Sequence, residues 1–450
     1  MRGMAGDGAV RPDQVSLGVL VTVVPRDVVD VAVGAFGVGA KRSDGKIRPH
    51  VVAYLTMGLC LFSDDDYEEV AQKVTGSLDG WGCWDASWTP PSASAITQAR
   101  KRLGSGVMRE IFESVATPIA GDTGVLARSL ATGPMRGAFL RSWRVMAIDG
   151  FDVDVPDSPS NAAEFGYAGS GENRSAYPKV RVVALAECGT HAFVAAEVDA
   201  YTVGERALAA RLYPRLQPDE LLTADRGFYS FDAWGQAAGT GADLLWRAPT
   251  QLQLPVIEVL TDGTYLSLLI DPKLRAPRRE KIIQAARDGE VLDPEIAVLV
   301  RVIEYDVPDR EGAGHGELIV LLSTILDPDQ ARADELAVAY DQRWEQETAN
   351  DQLKTHLRGP GRVLRSRLPD LIRQEIWAWL VVHYAISVLM ARAAQAVDKD
   401  PDRISYSRAL HLIRRGLSPL STGTPAWTVS WPTSLASSTH LVATERAPAP

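Results

Sequence analysis

Apolar residues recur at helical spacing through the first quarter of the chain and at strand spacing through its middle. After a loose start over residues 1–12, PRDVVDVAVGAF (25–36) reads as a helix, with Pro25 in the first turn and acids close by. VVAYLTMGLCLF (51–62) predicts a buried helix. SDDDYEEVAQKV (63–74) opens on a serine cap and an acidic first turn, which suits the helix dipole. WGCWDASWTPPS (81–92) reads as a Trp- and Pro-rich connector, and SASAITQARKRLG (92–104) as a capped helix stopped by Gly104. Together these predict a helical N-terminal domain over residues 13–120.

From Arg144 the texture changes. WRVMAID (143–149) is a short apolar run that closes on an acid. KVRVVALAE (179–187) and AFVAAEVDA (192–200), joined by CGTH, predict a hairpin. VGERALAARLY (203–213) reads as a helix and ELLTAD (220–225) as a buried strand closing on an acid. SFDAWGQAAG (230–239) is a second helix and ADLLWRA (242–248) a further strand. This order predicts an α/β sheet with mixed pairing over residues 140–248. Residues 249–317 interrupt it with strand-like TYLSLLI (264–270) and AVLVRVIEYDV (297–307), a β-rich insertion. ELIVLLSTIL (317–326) then leads through the turn DPDQ into AYDQRWEQETANDQLK (339–354), read as one polar helix with Trp344 as a packing residue. IWAWLVVHYAISVLMA (376–391) is shorter than a usual membrane span and carries His383, so it predicts a buried core helix. The second part of the core is expected at 318–395. A C-terminal segment and tail follow at 396–450, rich in Ser, Thr and Pro from about residue 417.

Composition narrows the classes. The 450 residues are 46% hydrophobic, enough to build a sizeable core. Cys60, Cys83 and Cys188 are far apart and form no C-x-x-C pair. That disfavours a disulfide framework or a zinc site and fits a reducing cytoplasm. VSLGVLVTVV (15–24) is apolar, but acids precede it and no small-residue cleavage site follows, so neither a signal peptide nor a membrane anchor is expected. A net charge of −10 argues against a general nucleic-acid binder. The cations are nonetheless clustered, in Arg100-Lys101-Arg102, PKLRAPRREK (272–281) and HLRGPGRVLRSR (356–367). A local basic surface can bind phosphate on an acidic chain, although any one such cluster is more often a solvated face.

Two acids stand out by position. Asp149 and Asp225 each close an apolar strand, and sites in open α/β sheets gather at the carboxyl ends of strands. Carboxylates on neighbouring strands suit Mg²⁺, which takes a few protein oxygens plus water and phosphate. The polar helix can supply a third. With Tyr340 at zero, Arg343 falls at about 300°, Glu347 at about 340° and Lys354 at about 320°. An acid for metal then shares a face with three phosphate donors. Among 57 acidic residues each member has an ordinary explanation. Glu347, for one, is an i,i+4 partner of Arg343 worth about 0.2–0.5 kcal/mol. Only the set points to one chemistry.

Four segments carry a resemblance. PSASAITQARKRLG (91–104), AIDGFDVDVPDSPSNAAEFG (147–166), LLTADRGFYSFDAW (221–234) and STILDPDQARADELAVAYDQRWEQETANDQLK (323–354) are similar to DDE transposases of the insertion-sequence-four (IS-four) family. The last segment contains the signature Y-x2-R-x3-E-x6-K, matched by Tyr340, Arg343, Glu347 and Lys354. The resemblance implies a ribonuclease H-like catalytic core with a β-rich insertion and a helical N-terminal domain. It implies Asp149, Asp225 and Glu347 as catalytic metal ligands for two Mg²⁺ or Mn²⁺ ions. The chemistry implied is cleavage at the ends of a mobile element and strand transfer into target DNA, by cut-and-paste. Partners would be terminal inverted repeats, target DNA and a second copy of the chain in a synaptic homodimer, in the bacterial cytoplasm at the nucleoid. Tyr340, Arg343 and Lys354 would contact DNA at the active site, and Arg100, Lys101 and Arg102 from the N-terminal domain. Arg174 and Lys179 are further candidates, whereas Asp154, Asp157, Gly227 and Phe228 read as turn or core residues. The alternative is a catalytically silent or domesticated regulator that keeps DNA binding. A small-substrate phosphoesterase does not explain the basic clusters, nor a two-carboxylate glycosidase Arg343 and Lys354.

Overall fold

The computed structural model describes residues 18–39, 47–76, 91–121, 135, 137–307, 317–359 and 363–416. Five helices come first: α1 (Arg26–Ala35), α2 (Pro49–Leu61), α3 (Tyr67–Gly76), α4 (Ala93–Leu103) and α5 (Ser105–Val115). Helix α2 is buried almost all round, which is why its sequence shows no polar face. Ser92 caps α4 by accepting from the Ala95 N–H, and Gly104 ends it at φ 78°, a left-handed position that suits glycine. The cap expected at Ser63 is not the one used. Helix α3 starts later, and Asp66 accepts from the Glu69 N–H at 2.8 Å, because it is the acid next to the apolar run. Most of the connector at 81–92 lies outside the described residues, as does the tail from residue 417.

The core follows in chain order. It comprises β1 (Phe139–Leu140), β2 (Trp143–Asp154), α6 (Pro159–Phe165), β3 (Lys179–Glu187), β4 (Ala192–Ala200), α7 (Glu205–Leu212), β5 (Glu220–Ala224), α8 (Phe231–Ala238) and β6 (Asp243–Arg247). The next stretch contributes β7 (Glu258–Val259), β8 (Tyr265–Ile270), α9 (Ala276–Arg287), β9 (Ala297–Val307) and β10 (Glu317–Ser323). Helices α10 (Ala333–Asp341), α11 (Trp344–Asp351), α12 (Pro369–Ala396) and α13 (Tyr406–Gly416) complete the described chain. The sheet runs β4-β3-β2-β5-β6-β10-β9-β8-β7. Strands β2, β3 and β4 pair antiparallel, while β5 and β6 run parallel to β2. That is the ribonuclease H-like arrangement. Strand β10 then pairs antiparallel with β6, so the insertion lengthens the core sheet instead of standing apart from it. The insertion is also less purely β than its sequence predicts, since α9 packs Ile282, Ile283 and Ala286 on β8 and β9.

Strand alternation sets the two faces of the sheet. Ile148, Leu222, Leu244 and Leu322 pack with α7 and α8 on one side. Leu221, Leu245 and Leu321 meet Leu336 and Tyr340 of α10 on the other. Helix α12 is long and apolar enough to cross a membrane, but 94% of its most apolar window is buried inside the fold. It joins the N-terminal helices to the sheet, since Phe112, Leu55, Trp377 and Phe193 belong to one apolar cluster.

Candidate active site

Strands β2 and β5 pair in parallel as far as Ile148 and Ala224. The residues that follow are Asp149 and Asp225, so the two acids sit on adjacent strands about 4.8 Å apart. The Thr223 hydroxyl ties the strands together by donating to the Met146 carbonyl at 2.9 Å. One expectation changes here, because β2 does not stop at Asp149. It continues to Asp154, since β3 goes on pairing along its other edge, with Asp149 opposite Ala184 and Asp154 opposite Lys179. Asp149 therefore marks the point where the parallel neighbour ends and one flank of β2 opens.

The polar stretch is not one helix. Helices α10 and α11 are separated by a tight turn in which the Arg343 N–H donates to the Tyr340 carbonyl and the Gln346 N–H to that of Arg343. Beyond Asp351 the backbone widens into a π-helical segment, Gln352–Leu357. A constant 100° per residue thus fails on both sides of α11. Tyr340 is buried against the sheet at 4% exposure, and Trp344 is exposed instead of packed. Two amides seat α11. Gln346 donates to the Ala184 carbonyl at 2.8 Å, directly across from Asp149. One turn on, Asn350 donates to Asp149 Oδ2 at 2.9 Å. Glu347 lies between them, and Lys354 Nζ stands 5.5 Å from the ring centroid of Phe151 on β2.

Arg343 is the electrostatic centre. It is buried, and its Nη2 lies 3.2 Å from Glu347 Oε1. Burial opposes its charge, but Tyr340, Glu347, Asp225 and Asp149 outweigh that and hold its pKa above the ordinary arginine value. Burial pushes Asp149 up to about 6; the Gly150 N–H and Arg343 oppose the rise, while Glu347 and Glu205 add to it. Burial likewise raises the Tyr340 phenol to about 12, against the pull of Arg343. Asp149, Asp225 and Glu347 come from separate elements around Arg343. The residues fit divalent metal and phosphate. Arg343 Nε, Tyr340 Oη and Asn350 Oδ1 are buried with no hydrogen-bond partner, two of them donors for phosphate and one an acceptor that can face a metal.

Residues 14–113 match the family model of the insertion element 4 transposase N-terminal region. Residues 142–384, more than half of the chain, match the transposase DDE domain. The chain belongs to the IS4 family of DDE transposases. It is 26% identical over 384 residues to the transposase InsG for insertion sequence element IS4 of Escherichia coli (strain K12), covering 83% of this chain and 77% of that one. A cryo-EM structure of a piggyBac transposase synaptic complex with hairpin DNA aligns with 95% of this chain and 84% of its own at 8% identity and a TM-score of 0.44. The protein is thus a DNA-acting insertion-sequence transposase, an enzyme of divalent-metal-dependent DNA cleavage.

The remaining candidates of the transposase separate by burial. Arg100 is corrected: it is fully buried, donates to Gln374 at 2.8 Å and pairs with Glu375 of α12 at 3.4 Å, so it faces the core and not DNA. The signal was available, because Arg100 lies four residues after buried Ile96 and three before buried Leu103, on the apolar face of α4. Lys101 and Arg102 are exposed. Lys179 pairs with Asp154 at 2.8 Å, Asp157 accepts from Tyr167, and Arg174 stacks on Tyr167. Phe228 is a core residue beneath the turn after Asp225. Sequence reasoning missed Asn350, Gln346 and His191. Asn350 was within reach, three residues from Glu347 on the same helical face. His191 was not. It sits in a left-handed conformation at φ 56° between β3 and β4. Its Nε2 lies 2.7 Å from Glu345 and 2.8 Å from Asp402, and its Nδ1 2.9 Å from Gln352. The three ionisable groups have the chemistry to hold a metal. Two carboxylates against one ring nitrogen are equally the geometry of an imidazolium clamp on α11.

Proposed function

We propose that Asp149, Asp225 and Glu347 form the catalytic triad and hold two Mg²⁺ or Mn²⁺ ions over the phosphate to be cut. One observation carries this reading: Arg343 is buried within electrostatic reach of all three acids and of Tyr340, residues drawn from two strands and two helices. When bound, the ions activate the attacking oxygen and stabilise the leaving one. The chain supplies the rest. Asp149 and Asp225 act from paired strands, so their carboxylates need little reorganisation. Asn350 fixes one Asp149 oxygen by its N–H. Arg343 and Tyr340 direct their unpartnered donors at phosphate oxygens, where charge builds as the bond breaks. Lys354 holds the neighbouring backbone, and Lys101 and Arg102 hold DNA further out, near the terminal inverted repeats.

On this reading the protein cuts the ends of its element and joins the freed 3′-hydroxyl to target DNA, working as a synaptic homodimer in the bacterial cytoplasm at the nucleoid. The test is cleavage of a duplex carrying the inverted repeats that flank the gene. Strand cleavage at the repeat boundary in Mg²⁺ or Mn²⁺, and none in EDTA, is expected. Tight binding to those repeats without cleavage in either metal would favour a silent regulator.

A further inference from the structure

Beyond Lys354 lies an arginine to which the reaction as described gives no task. Arg358 is 8% exposed, and its Nε and Nη1 are buried with no hydrogen-bond partner. Its guanidinium carbon stands 5.8 Å from the ring centroid of Trp379 on α12. The acid whose field reaches it, Asp154, is already paired with Lys179 at 2.8 Å. Burial pushes its pKa below the ordinary arginine value. Other buried arginines are paired: Arg100 with Glu375 and Arg301 with Asp262. A buried guanidinium with two unpartnered nitrogens disfavours the folded state, and an anion would complete it.

The backbone puts Arg358 there by an unusual route. Its N–H donates to the Leu353 carbonyl, five residues back, which closes the π-helical turn. An α-helical path would rotate residue 358 by about 100°, and π-turns recur at functional sites. The direction is informative as well. Strand β2 runs from Asp149 past Phe151, which Lys354 covers, to Asp154, the acid whose field reaches Arg358. At 3.4 Å per residue that is a path of about 17 Å leading away from the acids.

We propose that Arg358 is a phosphate-binding residue whose guanidinium takes a DNA backbone phosphate within roughly five nucleotides of the scissile bond, at 3.4 Å of rise each. Together with Lys354 it makes a cationic track along β2. The proposal rests on Asp149, Asp225 and Glu347 being the site of cutting.

The test compares Arg358→Met and Arg358→Lys with the parent, in the full chain and in EDTA so that nothing is cut. Thermal midpoints are measured without DNA, and affinity for a duplex bearing the element's end is measured across a salt series. Arg358→Met is expected to leave the midpoint unchanged or higher. It should weaken DNA binding about tenfold and reduce the slope of log affinity against log salt by about one. Arg358→Lys should recover most of the binding. Duplexes ending at the scissile bond on the β2 side should bind parent and Arg358→Met alike. A lowered midpoint with an unchanged salt slope would overturn the proposal and make Arg358 a structural residue. Protection of the parent by inorganic phosphate, with no change in DNA affinity between the variants, would also overturn it, because the anion would then not be DNA. Since binding is read without cleavage, failure of the parent to cut in metal counts against the triad and not against this phosphate contact.

Discussion

At the scale of single residues, burial and pairing divide the groups proposed to touch the reaction from those that support the fold. Asn350 holds Asp149 Oδ2 and keeps a buried, unpartnered oxygen beside it. Asn350→Ala should lower single-turnover cleavage about tenfold and raise the Mn²⁺ concentration needed, with DNA affinity unchanged; an unchanged metal dependence would remove Asn350 from the site. Arg100 belongs to the other group. Arg100→Ala strands Glu375 in the core and should cost about 3–5 kcal/mol of stability in urea. Lys101→Ala with Arg102→Ala should leave stability alone and reduce the salt slope of DNA binding by one to two. Equal destabilisation by both sets would contradict this division. The position of Asp149 and Asp225 on neighbouring strands was legible in the sequence, because each acid interrupts an apolar run, although the strand through Asp149 runs on to Asp154. The burial of Arg100 could be read from its helix face, but its partner could not, since Glu375 lies 275 positions away.

At the scale of elements, strands and most helices follow the sequence pattern closely, because burial of one face leaves a visible period. The β3–β4 hairpin and α4 are clear cases. The helix that carries Glu347 was less legible. It breaks after Asp341 and widens into a π-helical segment after Asp351, and neither feature is encoded in a local period. His191 contacts both parts, through Glu345 and Gln352. Burial disfavours its charge, but the hydrogen bonds it donates to Asp402 and Glu345 raise its pKa to about 9. A pKa raised on folding from about 6.5 contributes stability that is full below pH 6.5 and is lost as pH rises through 9. The urea midpoint of the parent should therefore exceed that of His191→Gln most at pH 6 and least at pH 10. A difference that stays constant across that range would mean that the clamp is not charged.

At the scale of the whole molecule, the N-terminal helices and the sheet share one core through α12, where the rings of Trp377 and Phe112 meet at a tilt with centroids 5.6 Å apart. The catalytic region alone should therefore not fold well. A chain lacking residues 1–120 is expected to aggregate or to unfold without cooperativity, because one face of α12 would meet water; a soluble fragment with a sharp thermal transition would contradict this. The net charge of −10 hid the DNA-binding character, since total charge does not record where cations gather. Arg343 lies among the acids, and Lys354 and Arg358 follow it on the segment that the signature spans and extends. The most direct measurement of the central claim is cleavage of element-end DNA by Glu347→Gln beside the parent, in Mg²⁺ and in Mn²⁺. The parent should cut, and Glu347→Gln should bind with the same affinity and not cut in either metal. Cutting by Glu347→Gln at the parental rate would contradict the triad.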